Sequence, residues 1–167
     1  AKAFRKLCSM KFLVVAISEN DDITEAYWTI AVPYNGNKQF MNELGISFQM
    51  MNELETLGII KFNSIVGYIT TGINGKKVLL YVDGKTMEIT KHENGSIPIG
   101  NVMLTSAGEV LNKITTVEKV CGYDEAVKKY MISNGVVFSD KEKYQIVING
   151  NKVQVENKVI DVVLSEI

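Results

Sequence analysis

His92 is the only histidine in the chain, so catalysis of the Ser-His-Asp or Cys-His kind would have to run through it. It stands in a polar stretch between Lys91 and Glu93, and no G-x-S-x-G nucleophile elbow accompanies it. It reads as an exposed loop residue. Cys8 and Cys121 lie outside C-x-x-C spacing, and with one histidine they are too few for a zinc site. They read as buried thiols of a reducing compartment. No D-x-D-x-D-G loop offers oxygen ligands for calcium. The glycines are scattered singly in turns, with neither G-x-x-x-x-G-K-[ST] nor G-x-G-x-x-G to cradle phosphates. Asp21 with Asp22, and Glu53 with Glu55, are the paired carboxylates. Helix capping and a solvated face account for them more simply than acid-base chemistry. The expectation is a protein without a catalytic centre, a metal site or a cofactor.

The composition supports a packed core around whatever site exists. At 167 residues the chain suits one domain, or one with a small appendage, and buries roughly two-thirds of the surface its unfolded form exposes. The 18 basic and 19 acidic residues leave a formal charge of −1, so the overall field does not draw the chain toward nucleic acid or an anionic membrane. Any nucleic-acid surface has to be a local patch. The most apolar run, residues 12–17, is far shorter than the roughly 20 residues a membrane span needs. Glu19, Asn20, Asp21 and Asp22 follow it where a signal peptide would carry a small-residue cleavage site. The expected location is the cytoplasm. The chain begins inside what reads as a running helix, as a piece of a longer protein would.

The spacing of apolar positions then places the elements. Phe4, Leu7, Cys8, Val14 and Val15 recur at helical intervals and predict one amphipathic helix over residues 2–18. Asp22 with Glu25 resembles a capping box, and Ile23, Ala26, Tyr27, Ile30 and Ala31 predict a second helix that Pro33 stops, although Trp28, Thr29, Ile30 and Val32 would also suit a strand. After Asn35-Gly36-Asn37, a short helix through Phe40, Met41 and Leu44 ends at Gly45, and Ser47 caps another that closes at Leu57 and Gly58. From Ile59 the period changes. An extended stretch, an Asn74-Gly75 hairpin, a strand over 78–82, an Asp83-Gly84 hairpin and a strand over 86–90 predict a three-stranded meander. A strand over 99–104 leads into a helix capped by Ser106 with Glu109. A helix over 124–134 ending at Gly135, a strand over 136–138, a hairpin at Asn149-Gly150 and an apolar stretch over 159–164 complete the chain. The expected class is α+β: a helical half with elaborated hairpins over 1–116, and a small C-terminal α/β appendage over 117–167 packed on it.

One order of parts stands out. A tight Gly45-Ile46-Ser47 turn precedes a capped helix that ends Leu54-x-x-Leu57-Gly58-Ile59-Ile60. Hairpins follow, and then Val102-x-Leu104-Thr105-x-x-Gly108-x-x-Leu111. From about Asp22 to Ile114 this resembles the winged-helix group of helix-turn-helix domains. The resemblance implies that the helix ending at Leu57 is a recognition helix entering a wing. It also implies that Leu104-Thr105-x-x-Gly108 is the return strand leading to a closing helix, as in regulators of the multiple-antibiotic-resistance type. With Leu7-Cys8-Ser9 upstream of these motifs, the chain is also similar to the C-terminal part of a bacterial family classed as a domain of unknown function. That second resemblance implies no activity.

The departures from the DNA-binding pattern shape the functional expectation. A recognition helix presents basic and amide side chains to bases and phosphates. Here the outward face offers Gln49, Asn52, Glu53 and Thr56, with no basic residue between Phe48 and Ile60. Lys76, Lys77 and Lys85 at the hairpin tips could touch a phosphate backbone, but lysines there also guard strand edges against pairing. The leading expectation is a non-enzymatic, winged-helix-like interaction module that engages a protein partner or a neighbouring domain through this helix or the long hairpins. Its rival is a sequence-specific DNA-binding regulator that uses Gln49 and Asn52 with a patch of Lys76, Lys77 and Lys85, joined by Arg5 and Lys6. A third reading is an enzyme with a carboxylate cleft. Met50, Met51 and Met103 read as core fillers rather than the lining of a ligand pocket.

Overall fold

The computed structural model describes residues 2–34 and 44–164. The first helix, α1 (Lys2–Ser9), buries Phe4, Leu7 and Cys8 and stops where the Met10 N–H bonds the Leu7 carbonyl. Strand β1 (Lys11–Ile17) follows, so the single helix expected over 2–18 is corrected to a helix and a strand. The cause is burial on both faces. Phe12, Val14 and Ala16 point into one core cluster, while Leu13, Val15 and Ile17 point into another. A strand buried on both sides is a continuous apolar run, and such a run satisfies a helical template as readily as any other.

The helix expected from Asp22 is likewise a strand, β2 (Ile23–Ile30), antiparallel to β1 with Val14 opposite Tyr27. Its β-branched and aromatic residues suit the pleat of a sheet already nucleated by β1. Asp22 caps no helix; its carboxylate pairs with Lys158 at 2.9 Å. The short helix expected through Phe40 and Met41 lies outside the described residues. Helix α2 (Phe48–Thr56) is where Ser47 placed it, and the Ser47 hydroxyl accepts from the Met50 N–H at 3.1 Å.

The chain then forms β3 (Ile60–Phe62), β4 (Tyr68–Thr70), β5 (Lys77–Val82), β6 (Lys85–Lys91), β7 (Ile97–Gly100) and β8 (Val102–Leu104). The Asp83-Gly84 hairpin joins β5 to β6, with both turn residues at positive φ. The meander does not form. β4 pairs with β7, β3 pairs with β8, and β5 instead lies between β1 and β6. Val78, Leu79 and Leu80 are fully buried, so β5 belongs at the centre of a sheet, whereas β4 carries the exposed Ile69 and stays at the periphery. The expected strand over 99–104 is two strands, β7 and β8, broken at Asn101. Gly100, at φ +93, lies so close to the Val32 carbonyl that a Cβ would collide with it.

Helix α3 (Ser106–Ile114) is capped by Thr105, not Ser106: the Thr105 hydroxyl accepts from the Gly108 N–H at 3.1 Å. Helix α4 (Tyr123–Ser133) precedes the short β9 (Val137–Phe138). The last strands are β10 (Ile146–Asn149), β11 (Lys152–Val155), β12 (Lys158–Asp161) and β13 (Val163–Leu164).

The main sheet has the order β13-β2-β1-β5-β6-β9. One face packs on α1, α2 and α4 through residues such as Leu7, Met51, Leu54, Val127 and Met131. The other is covered by the β10-β11-β12 sheet through Tyr144, Ile146, Val153 and Val155. The class is α+β, in three layers of helix, sheet and sheet. Helix α4 shares the first cluster with α1 and β1, so the layer that stands apart begins after β9. Tyr123 is buried in that cluster and donates its hydroxyl to the Ala31 carbonyl at 2.6 Å.

Candidate functional site

Helix α2 holds four of the residues singled out for binding. Gln49, Glu53 and Thr56 are exposed, and Asn52 is half-buried. They are tied mainly to one another. The Gln49 amide donates to Glu53 Oε1 at 3.0 Å, one helical turn on, and the Thr56 hydroxyl donates to the Asn52 carbonyl at 2.9 Å. Glu55 Oε1 accepts the Phe62 N–H at 2.9 Å and fastens α2 to β3. Phe48 and Tyr34 both meet the Phe62 ring edge-on, at 5.5 and 5.6 Å.

The three lysines are not brought together. Lys77 opens β5 and Lys85 opens β6 beyond the turn, so they lie at opposite ends of one hairpin. Lys77 Nζ bonds Asp21 and the Tyr144 hydroxyl, each at 3.3 Å. These partners hold the Lys77 ammonium above its usual range, and Lys77 in turn holds the Asp21 carboxyl below its own. Lys85 meets Asp124 at 2.5 Å, which raises the lysine and lowers the carboxyl in the same way. Two of the three charges are therefore met by acids of their own chain. Lys76 is half-buried beside Lys77.

The other sequence candidates separate. Cys8 is buried, and burial pushes its thiol up to about 11, which leaves little thiolate at neutral pH. Cys121 is exposed, contrary to expectation, and lies just before Gly122, the N-cap of α4. His92 is half-buried rather than exposed, and its Nδ1 is shielded from water with no hydrogen-bond partner among the described residues. No group of three His, Cys, Asp or Glu side chains converges on a metal-sized space among the described residues. No helix among them is long and apolar enough to cross a membrane.

The most distinctive surface feature is one the sequence did not single out. Helices α1, α2 and α3 leave a groove of about 590 Å³ between them, lined by Phe4, Arg5, Leu54, Leu57, Ile59, Leu111, Thr115 and Thr116. Its walls are braced. Arg5 Nε donates to the Thr116 carbonyl at 2.9 Å, and the Glu118 N–H donates to the Arg5 carbonyl. Gly108 lies so close to the Ile59 carbonyl that a Cβ would collide with it, which brings α3 against the end of α2. Of the lining, Leu57 is 70% exposed and Leu111 is 36% exposed; Val110 and Ile114 are exposed on α3 outside that lining. Leu57 follows the buried Met51 and Leu54 at helical spacing, so the pattern alone assigns it to the core; the turn at Gly58 carries it outward. The only signal available in the sequence was apolar excess on α3, where Val110, Leu111 and Ile114 accompany a single buried residue, Gly108. Compared with family models, with curated proteins and with solved structures, the chain gives no significant match.

Proposed function

We propose that this chain is a non-enzymatic interaction module that receives a helical segment of a protein partner or a neighbouring domain in the groove between α1, α2 and α3. The observation that carries this reading is an apolar, braced concavity lined by Phe4, Leu54, Leu57, Ile59 and Leu111, with Leu57 70% exposed at its edge. An amphipathic helix laid in such a groove buries its apolar face against these side chains, at about 25 cal/mol for each Å² removed from water. Duplex DNA is the poorer fit. Glu53 and Glu55 lie on the helix that would enter the groove of the duplex, and Lys77 and Lys85 are already paired at distant points.

The test places a photo-crosslinking amino acid at Leu57 or Leu111 in cells, with Val147 and Val159 on the C-terminal sheet as controls. The expected result is one protein product joined through an amphipathic helical segment, formed from the groove positions only and lost from Leu57 when Leu111→Glu is added. Products formed equally from the control positions would overturn the reading. So would a salt-dependent affinity of the purified chain for duplex DNA that Lys76→Ala weakens and Leu111→Glu does not.

A further inference from the structure

Asparagine followed by glycine recurs five times, at Asn35, Asn74, Asn94, Asn134 and Asn149. Asparagine is thermolabile, and this pair is its most reactive setting. Glycine has no Cβ to shield its own nitrogen, which can attack Cγ of the preceding side-chain amide. The new N–Cγ bond closes a succinimide, and the amide nitrogen leaves as ammonia. Water then cuts one of the two imide C–N bonds. Cutting the side-chain bond gives aspartate; cutting the main-chain bond gives isoaspartate. Three things are needed: a glycine nitrogen free to attack, an amide free to leave and a backbone able to turn. Asn35 lies outside the described residues, and the fold treats the other four differently.

Asn134 is exposed, yet every participant is tied down. Its Nδ2 donates to the Tyr130 carbonyl at 2.8 Å, and the Gly135 N–H donates to the Ile132 carbonyl at 3.1 Å. The Val136 N–H donates to the Met131 carbonyl, which completes a Schellman ending of α4 with Gly135 at φ +87. Asn74 and Asn94 restrain each other. Gly95 is buried beneath the Asn74 side chain, where a Cβ would lie 2.7 Å from Asn74 Cγ, and its carbonyl accepts the Ile73 N–H. Asn149 has no such restraint. It ends β10 opposite Lys152, at the tip of a two-residue hairpin. Asn149 and Gly150 are both exposed, and nothing lies within 4 Å of a Cβ placed on Gly150. Neither the Asn149 side chain nor the Gly150 N–H has a hydrogen-bond partner among the described residues.

We infer that Asn149 is a site of spontaneous deamidation in the folded protein, converted ahead of Asn74 and Asn94, while the end of α4 protects Asn134. The two products differ in consequence. Aspartate sets a carboxylate across from Lys152, which the ladder accepts as an opposite-charge pair. Isoaspartate routes the main chain through the side chain and adds a backbone atom to the turn. That turn sets the pairing of Ile148 with Val153, and Val153 is fully buried in the layer that covers the main sheet. The modification therefore acts on the C-terminal layer and leaves the helical face alone.

Peptide mapping by mass spectrometry tests this on the whole chain, aged in warm, mildly alkaline buffer and, in parallel, in urea that unfolds it. Enzymatic methylation of the isoaspartyl carboxylate separates the two products. In the folded chain Asn149 is expected to convert first, at least about ten times as fast as Asn134, which must break two hydrogen bonds before it can react. In urea that advantage is expected to vanish. Asn149→Gln is expected to remove the first product and leave the slower ones. The aged chain should also melt at a lower temperature than Asn149→Asp, which carries the charge without the added backbone atom; equal midpoints would remove the effect on register. The inference is overturned by a folded chain in which Asn134 keeps pace with Asn149, or in which Asn74 or Asn94 converts first. It is equally overturned if Asn149 stays intact while the unfolded chain reacts. A ratio of Asn149 to Asn134 unchanged by urea would show that the dipeptide, not the fold, sets the rate, and would overturn it too.

Discussion

Thr105 shows how much can rest on one hydroxyl. Its Oγ1 lies 2.6 Å from the Gly58 carbonyl and 2.9 Å from that of Ile59, and it accepts the Gly108 N–H at 3.1 Å. A hydroxyl has one proton to donate, so it bonds one of the two carbonyls at a time while capping α3. It thereby ties the end of α2 to the start of α3, the two walls of the groove. Thr105→Val keeps the shape and removes cap and donor together, and is expected to cost about 1–2 kcal/mol by urea unfolding, with Thr105→Ser recovering most of it. Asp21 offers a second test, in pH. Its carboxyl is lowered from 3.8 by Lys77, so its contribution is present above that ordinary value and lost as pH falls through the lowered one. Lys77 is raised from 10.5 by Tyr144 and Asp21, so its contribution is present below that value and lost as pH rises through the raised one. Asp21 sits at φ +59, a conformation asparagine tolerates, so Asp21→Asn should leave the turn intact. The thermal midpoint of the wild type should exceed that of Asp21→Asn between those limits, with the gap closing below the carboxylate range. A gap that persisted unchanged in strong acid would show that the carboxylate charge is not what Asp21 contributes.

Strand β1 is the element on which sequence and structure part most clearly. Phe12 and Leu13 are adjacent and both fully buried, yet they face different layers. Phe12→Ala is expected to cost about 3–5 kcal/mol and Leu13→Ala about 2–5 kcal/mol, where a half-exposed strand would suffer at only one of two neighbours. Equilibrium denaturation of the two variants decides this. The same double burial explains why β1 was not legible: periodicity needs a polar face to mark the period, and residues 12–17 have none. Helix α2 was legible because Ser47 caps it, Gly58 ends it and only Met51 and Leu54 are buried. The Asp83-Gly84 hairpin was legible because its turn needs positive φ at two residues. The Asn74-Gly75 signal misled because a turn sets local direction, not the partner of the next strand. The candidate site was legible in part. Gln49, Glu53 and Thr56 do lie on the open side of α2, but the groove is assembled from three helices distant in sequence. Both edges of the main sheet end in two-residue strands, β9 and β13, which limits pairing with other chains by that route.

At the scale of the molecule, the C-terminal sheet is a structural layer and not an ornament. It buries Leu13, Val15, Ile17 and Leu79 on the second face of the main sheet. At about 1.5–3 kcal/mol for each side chain, these four amount to roughly 6–12 kcal/mol. That is the scale of a whole domain's net stability, about 5–15 kcal/mol. Polar contacts close the same seam: Lys77 joins Asp21 to Tyr144, and Lys158 reaches Asp22 and the backbone carbonyl of Asp21. A layer bound this strongly cannot open independently without exposing a face the remainder cannot keep in water. Trp28, the only tryptophan, reports on that seam, since it packs with the covered face and meets Tyr81 edge-on at 6.5 Å. The chain is therefore expected to unfold in one transition, with Trp28 fluorescence and far-ultraviolet circular dichroism coinciding in urea. A chain cut after Ser139 is expected to lose its native near-ultraviolet signal and to bind apolar dyes. If Trp28 reported an earlier, separate transition while the helical signal persisted, the layer would be a detachable unit, and the groove on the opposite side would have to be folded without it.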